Sequence, residues 1–265
     1  MFEFEFMRNA FAAIFLVAPL FGILSTMVVS NRMAFFSDSL GHGAFTGIAL
    51  GALIGVGSEI LGLLTFSIIF ALAITYIKNK TRSGADTVIG VFSSTAIALG
   101  LMLMSAGGQF NKFSRFLIGD LLSISQGDLI SLAAVFFIVV ISWIFLFNRL
   151  LISSVNKSLA RSRGINTQLI ESIFAILLAL VVALSIQWVG ILIINALLVL
   201  PAAAARNISN SVKFYHALSV AISLSAGLVG LFLAYELNSA AGATIVVCAS
   251  IIYFFTLILK PRFIK

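Results

Sequence analysis

The chain has 265 residues, 61% of them apolar and only 9% charged, and it carries a formal net charge of +7. An ordinary soluble domain is about one-quarter charged, so this composition excludes a soluble enzyme and points to an all-α polytopic membrane protein. The basic surplus lies in short clusters between apolar runs, without interleaved aromatics, and therefore reports membrane orientation and no nucleic-acid contact.

At about 20 residues per span, eight to ten helices fit the chain, and no polar stretch is long enough for a separate soluble domain. The expectation is a single integral membrane domain over residues 1–265. Near the N-terminus, Glu3 and Glu5 face one Arg8, and the following apolar run is too long for a signal-peptide core. It reads as the first span. Apolar runs then fall at 10–29, 36–55, 60–77, 87–105, 129–147, 169–186, 189–205, 214–235 and 241–259. That makes nine, or eight if the first or seventh is incomplete. Two turns are very tight, near Gly57-Ser58-Glu59 and near Gln187-Trp188.

With nine spans, 13 of the 16 basic residues fall on one side, among them Arg32, Lys78, Arg149, Lys157, Arg161, Arg206 and Lys213. Only Arg8, Lys112 and Arg115 fall opposite. The positive-inside rule makes the first side cytoplasmic, with the N-terminus outside and the C-terminus inside.

The second run holds the most informative residues. Asp38 and His42 stand four apart in an otherwise apolar, glycine-rich stretch, which puts both on one helix face. Ionisable groups inside a membrane span cost about 2.5–3.5 kcal/mol on insertion scales and normally face a partner, a cavity or a transport path. Carboxylate and imidazole also suit divalent transition metals. The pair is either a structural intramembrane contact or a metal gate. One chain supplies too few ligands for a tight tetrahedral site, whereas two copies about a two-fold axis would bring two Asp and two His together. Gly43, Gly47, Gly51 and Gly55 recur on the same helix as a small-residue packing stripe.

The remaining polar residues read more plainly. Asp86 suits a helix N-terminus. Asp120 and Asp128 flank an external turn and serve either as caps or as contacts for a solute-delivering partner; the segment around them, 106–128, has room for a re-entrant or interfacial helix. Glu171 suits a helix dipole, Asn195 an inter-helix hydrogen bond, His216 a membrane boundary and the lone Cys248 a packing position. A phosphate loop of the G-x-x-x-x-G-K-[ST] type is absent, as are H-E-x-x-H and G-x-S-x-G. No catalytic set is visible, so transport is driven either by an ion gradient or by ATP hydrolysed on another chain.

Several stretches carry a family resemblance. Arg32-Met33-Ala34-Phe35-Phe36-Ser37-Asp38-Ser39-Leu40-Gly41-His42 resembles the R-M-x-[YF]-F-x-D-x-L-x-H signature of the zinc/manganese permeases of ATP-binding-cassette importers. Asp86-Thr87-Val88-Ile89-Gly90, the Phe116-Leu117-Ile118-Gly119-Asp120-Leu121-Leu122 element, and Val189-Gly190-Ile191-Leu192 running to Pro201-Ala202-Ala203-Ala204-Ala205-Arg206 follow in the family's order. The resemblance implies a compact permease fold of the vitamin-B12-importer type in the cytoplasmic membrane of a prokaryote. It implies a homodimer surrounded by membrane lipid, paired with cytoplasmic ATP-binding ATPase subunits and fed by an extracytoplasmic metal-binding solute-binding protein. ATP would act only through that partner, with zinc or manganese as transported substrate and no permanently bound cofactor. It maps the gate onto Asp38 and His42, and the ATPase-coupling segment onto Pro201, Ala202, Ala203, Ala204 and Arg206. Ala204 stands where a threonine is usual. Proline lacks an amide proton and tends to end or kink a span, which is expected to release a short surface helix over 201–212. The Pro201-Ala202 version of the motif resembles the zinc branch more than the manganese branch. A secondary metal transporter driven by an ion gradient is the alternative, disfavoured by the scarcity of intramembrane carboxylates.

Overall fold

The computed structural model describes residues 4–54, 59–81, 83–106, 119 and 121–263. Among these, all regular structure is helical: α1 (Glu5–Ser30), α2 (Ala34–Ile54), α3 (Glu59–Lys80), α4 (Ala85–Ala106), α5 (Gln126–Val155), α6 (Lys157–Ser162), α7 (Thr167–Val189), α8 (Ile191–Ile208), α9 (Val212–Glu236) and α10 (Ala241–Phe263), with a 3-10 turn at Leu121–Ser123. Eight of these helices are long and apolar enough to cross a membrane. Helix α2, with 21 residues, matches them in length. Each of the nine apolar runs thus falls on one long helix, as the all-α polytopic expectation requires.

The helices group into two units, each discontinuous along the chain. The first holds α1, α5 as far as Val140, the end of α7 from Gln187, and α8 to α10. Its central contact is between α1 and α9, where small hydroxyl residues replace bulky ones. A Cβ on Gly22 would lie 2.8 Å from the Val220 Cα, so the two backbones touch. Ser219 donates to the Gly22 carbonyl at 2.8 Å, Ser223 to the Ala18 carbonyl at 2.7 Å, and Ser25 shares a 2.9 Å bond with Ser219. Lipid offers no hydrophobic drive between helices, and close packing with interhelical hydrogen bonds supplies the attraction instead.

Two expectations are corrected in this unit. The tight turn expected near Gln187-Trp188 comes later: α7 continues through both residues, and Gly190 alone separates it from α8 at φ +79. Gly119, at φ +74, presses against that break, since a Cβ there would lie 2.4 Å from the Val189 carbonyl carbon. The second correction concerns Pro201. It does not end the span; α8 runs through it to Ile208, and only 209–211 separate α8 from α9. An interior proline costs a helix about 3 kcal/mol. That cost is outweighed here by burial of the small-residue face, where Ala204 and Ala205 pack with Ile222, Tyr215 and Tyr253.

The second unit holds α2 from Phe35, α3, α4, α5 from Ile141, α6, and α7 as far as Ile186. Gly43, Gly47 and Gly51 of the α2 stripe do the packing expected of them, and Gly55 lies outside the described residues. A Cβ on Gly43 would meet the Phe70 ring at 3.0 Å, one on Gly47 would meet the Phe66 Cβ at 2.9 Å, and one on Gly62 would sit 2.6 Å from the Gly51 Cα. Phe70 in turn meets Phe92 of α4 edge-on, with ring centroids 5.8 Å apart. Thr46 of α2 donates to the Ala96 carbonyl of α4. On α5, by contrast, Phe137, Ile138, Ile141, Ile144 and Phe145 are all exposed.

Candidate functional site

Asp38 and His42 lie one turn apart in the first half of α2, with Asp38 Oδ1 3.6 Å from His42 Nε2. The residues around them hold the helix still. Phe36, Leu40 and Ala44 are buried, as are Ser37 and Ser39, and Gly43 lies flat against Phe70. The pair itself stays accessible: the Asp38 side chain is 46% exposed and that of His42 30%. Among the described residues no three His, Cys, Asp or Glu side chains gather closely enough to hold a metal ion. A single chain therefore presents a two-donor face, one hard oxygen and one borderline nitrogen, which is a partial ligand set for a divalent transition metal.

A second polar constellation stands at the basic helix ends and was not foreseen. Glu171 sits beyond the first turn of α7 and is nearly fully buried, its side chain 7% exposed. It is not placed as a partner for the helix dipole, the role expected of it. Instead it gathers donors from two other elements: Lys78 Nζ of α3 at 3.6 Å, the Asn79 amide at 3.3 Å, and Lys157 Nζ of α6 in direct ion-pair contact. Burial of a carboxylate is tolerated only with such partners. The clue available in the sequence was the basic cluster at Lys78 and Lys157; the convergence came only with the tertiary fold.

Helix α6 is a short exposed element between α5 and α7. Asn156 caps it, its side chain accepting from the Ser158 and Leu159 amides at 2.9 and 3.1 Å. Ala160 is its one buried residue, and Arg161 follows in its last turn. Gly164, at φ +74, then turns the chain toward α7.

The other predicted site residues separate. Of the proposed coupling residues, Pro201, Ala202 and Ala204 are buried, Ala203 is half-buried and Arg206 is exposed. In the single chain only Arg206 and part of Ala203 are presented outward. Asp128 caps α5: its carboxylate accepts from the Ser125 amide at 3.0 Å and the Ser125 hydroxyl at 2.7 Å, while Ser125 Oγ accepts from the Asp128 amide at 3.2 Å. This is the reciprocal arrangement of a capping box, readable in the sequence as Ser125 three residues before Asp128. Asp120 and the 116–118 part of its element lie outside the described residues, as does most of the segment expected to hold a re-entrant helix. Asp86 occupies the first turn of α4. His216 is no free boundary residue, for Nδ1 donates to the Val212 carbonyl at 2.8 Å and Nε2 lies 2.9 Å from the Thr26 hydroxyl. Cys248 packs beside Ala226 and Ala249.

The sequence profile of the ABC 3 transport family matches residues 3–260. The chain belongs to this family. Among its relatives, the manganese import system permease protein ScaB of Streptococcus gordonii is 30% identical over 261 residues, covering 98% of this chain and 93% of that protein. The high-affinity zinc uptake system membrane protein ZnuB of Haemophilus influenzae is 32% identical over 240 residues, covering 90% and 92%. The solved structure of PsaBC from Streptococcus pneumoniae in complex with Fab matches with a TM-score of 0.83 at 30% identity, covering 96% of this chain and 91% of the matched chain. An inward-facing transporter of the metal-chelate ABC type matches at 0.70 with 15% identity, a likeness of fold alone. The resemblance to zinc/manganese permeases, first carried by short motifs, thus extends over the whole chain, and the permease fold it implied is the fold observed.

Proposed function

We propose that this chain is the membrane-spanning permease subunit of an ATP-binding-cassette importer that moves a divalent transition metal into the cytoplasm, zinc in preference to manganese. The observation that carries the metal is the accessible Asp38–His42 pair on a helix otherwise locked in place. An incomplete ligand set suits a pathway, since an ion must bind well enough to enter and weakly enough to leave. Imidazole as one of the two donors favours zinc over the harder manganese ion, as does the Pro201-Ala202 motif. Homodimerisation would supply four donors, and the outward apolar face of α5 offers a surface for a second copy.

The whole chain, residues 1–265, acts in this reading as one permease domain of a prokaryotic cytoplasmic membrane. An extracytoplasmic binding protein would deliver the metal, with Asp120 as the remaining candidate contact, since Asp128 is occupied as a cap. The direct test is uptake into proteoliposomes holding the permease with its copurifying ATPase, loaded with zinc or manganese singly and in competition. ATP-dependent zinc uptake that manganese inhibits weakly is expected. Uptake driven by a proton or sodium gradient without ATP would replace this reading with the secondary transporter.

The basic helix ends are proposed to be cytoplasmic, with the N-terminus outside. There, α6 and the Arg206 end of α8 are the elements offered to the ATPase subunits. In a Cys248→Ser background, single cysteines at Arg163 and Arg206 are expected to label only from the cytoplasmic side and to be protected by bound ATPase. Labelling from outside would reverse the orientation, and unprotected labelling would remove these elements from the docking surface.

A further inference from the structure

We infer that Lys157 and Glu171 form a latch through which docking at α6 is transmitted to α3, and from there to the metal-carrying helix α2. The inference rests on the reading of α6 as an ATPase-docking element. Glu171 is held from two directions. Lys78 and Asn79 reach it from the end of α3, and Lys157 reaches it from the start of α6. These two holds differ. The Lys78 side chain is 16% exposed and that of Lys157 52%, so the α3 hold is internal whereas the α6 hold opens to solvent. When Lys157 lets go, the buried carboxylate keeps a cation and an amide donor, and Lys157 returns to water. The link is therefore breakable without leaving a buried charge alone, the condition under which rupture of an ion pair is most damaging.

What Glu171 holds is free to move in one direction and rigid in another. A cleft of about 470 Å³ lies between the end of α3 and the first turns of α7, lined by Leu72, Thr75, Tyr76, Asn79, Gln168 and Ser172. Close-packed interiors transmit displacement, whereas this open cleft leaves the end of α3 room to shift. Farther along α3 there is no such slack. Phe70 lies against Gly43, the neighbour of His42, and Phe66 lies against Gly47. A shift of the α3 end into or out of the cleft would thus reach α2 through the close contacts of the Phe70 ring at Gly43 and of the Phe66 Cβ at Gly47. Glu171 and Lys157 are positioning residues in this scheme, since neither touches the metal.

The test uses the permease assembled with its ATPase and the metal-loaded binding protein in proteoliposomes, measuring zinc taken up per ATP hydrolysed. Lys157→Met is expected to lower that ratio at least about fivefold, the scale of coupling between distant sites. Lys157→Arg, which keeps the ion pair, is expected to retain most of the wild-type ratio. Combining Lys157→Met with Glu171→Gln should lower the ratio no further than Glu171→Gln alone, because Glu171→Gln already removes the carboxylate that Lys157 pairs with. A ratio unchanged in Lys157→Met overturns the latch, as does a loss confined to the amount of assembled complex. A Lys157→Arg variant as poor as Lys157→Met does so too. Absence of ATP-dependent uptake in the wild-type complex would instead overturn the proposed function, so the two failures are distinct.

Discussion

Asp38→Asn and His42→Ala are each expected to reach the membrane and assemble at wild-type levels, yet to lose zinc uptake by at least about tenfold to a hundredfold, the loss already typical of mutating groups that only support a ligand. Asp38→Asn keeps the shape and removes the charge; His42→Ala removes the nitrogen donor. The expectation of normal assembly follows from the geometry. The two groups are 3.6 Å apart and both substantially accessible. The position of α2 depends instead on Phe70, Phe66 and Gly62 against its glycines. Uptake normalised to assembled complex decides the matter. Wild-type uptake by both variants would end the role of the pair in metal passage, and failure of both to assemble would make it a structural contact.

Gly62→Ala is expected to destabilise the permease by about 1–3 kcal/mol, the usual range for overpacking, and to reduce the yield of monodisperse protein. The added Cβ would stand 2.6 Å from the Gly51 Cα and 3.0 Å from the Gly47 carbonyl oxygen. Both are backbone atoms, so the helices must part. Alanine also favours the helix over glycine by about 1 kcal/mol, which is too little to offset the clash. Gly90→Ala is the control. It gains the same propensity in α4, and nothing lies within 4 Å of the new methyl, so its thermal midpoint in detergent should equal or exceed that of the wild type. Equal midpoints for the two variants would show that α2 and α3 are not in backbone contact.

Both expectations concern the part of the molecule that was most legible in one dimension. Small residues every fourth position marked the packing face of α2, and two ionisable groups one turn apart marked its candidate chemistry. The reason is that helix periodicity converts sequence spacing directly into spatial adjacency within one element. The nine apolar runs were legible for a related reason, since a span needs a length of apolar chain that no loop supplies. The Ser125–Asp128 cap was equally local and could have been read from its spacing.

Contacts between elements far apart in the chain were not legible. Glu171 looked like a carboxylate suited to a helix dipole because its partners lie 92 residues earlier, at Asn79, and on a separate short helix, at Lys157. Pro201 looked like the end of a span because local propensity penalises an interior proline. Helix α8 continues because Ala204 and Ala205 bury their faces against Ile222, Tyr215 and Tyr253, a gain set by neighbours that propensity does not see. The sequence by itself determined the class of protein, a set of eight or nine long apolar segments and the Asp38–His42 pair proposed as metal donors, all properties of single segments. Only the tertiary structure decided which polar groups are packing and which join separate helices, because a buried charge is defined by the partners that surround it.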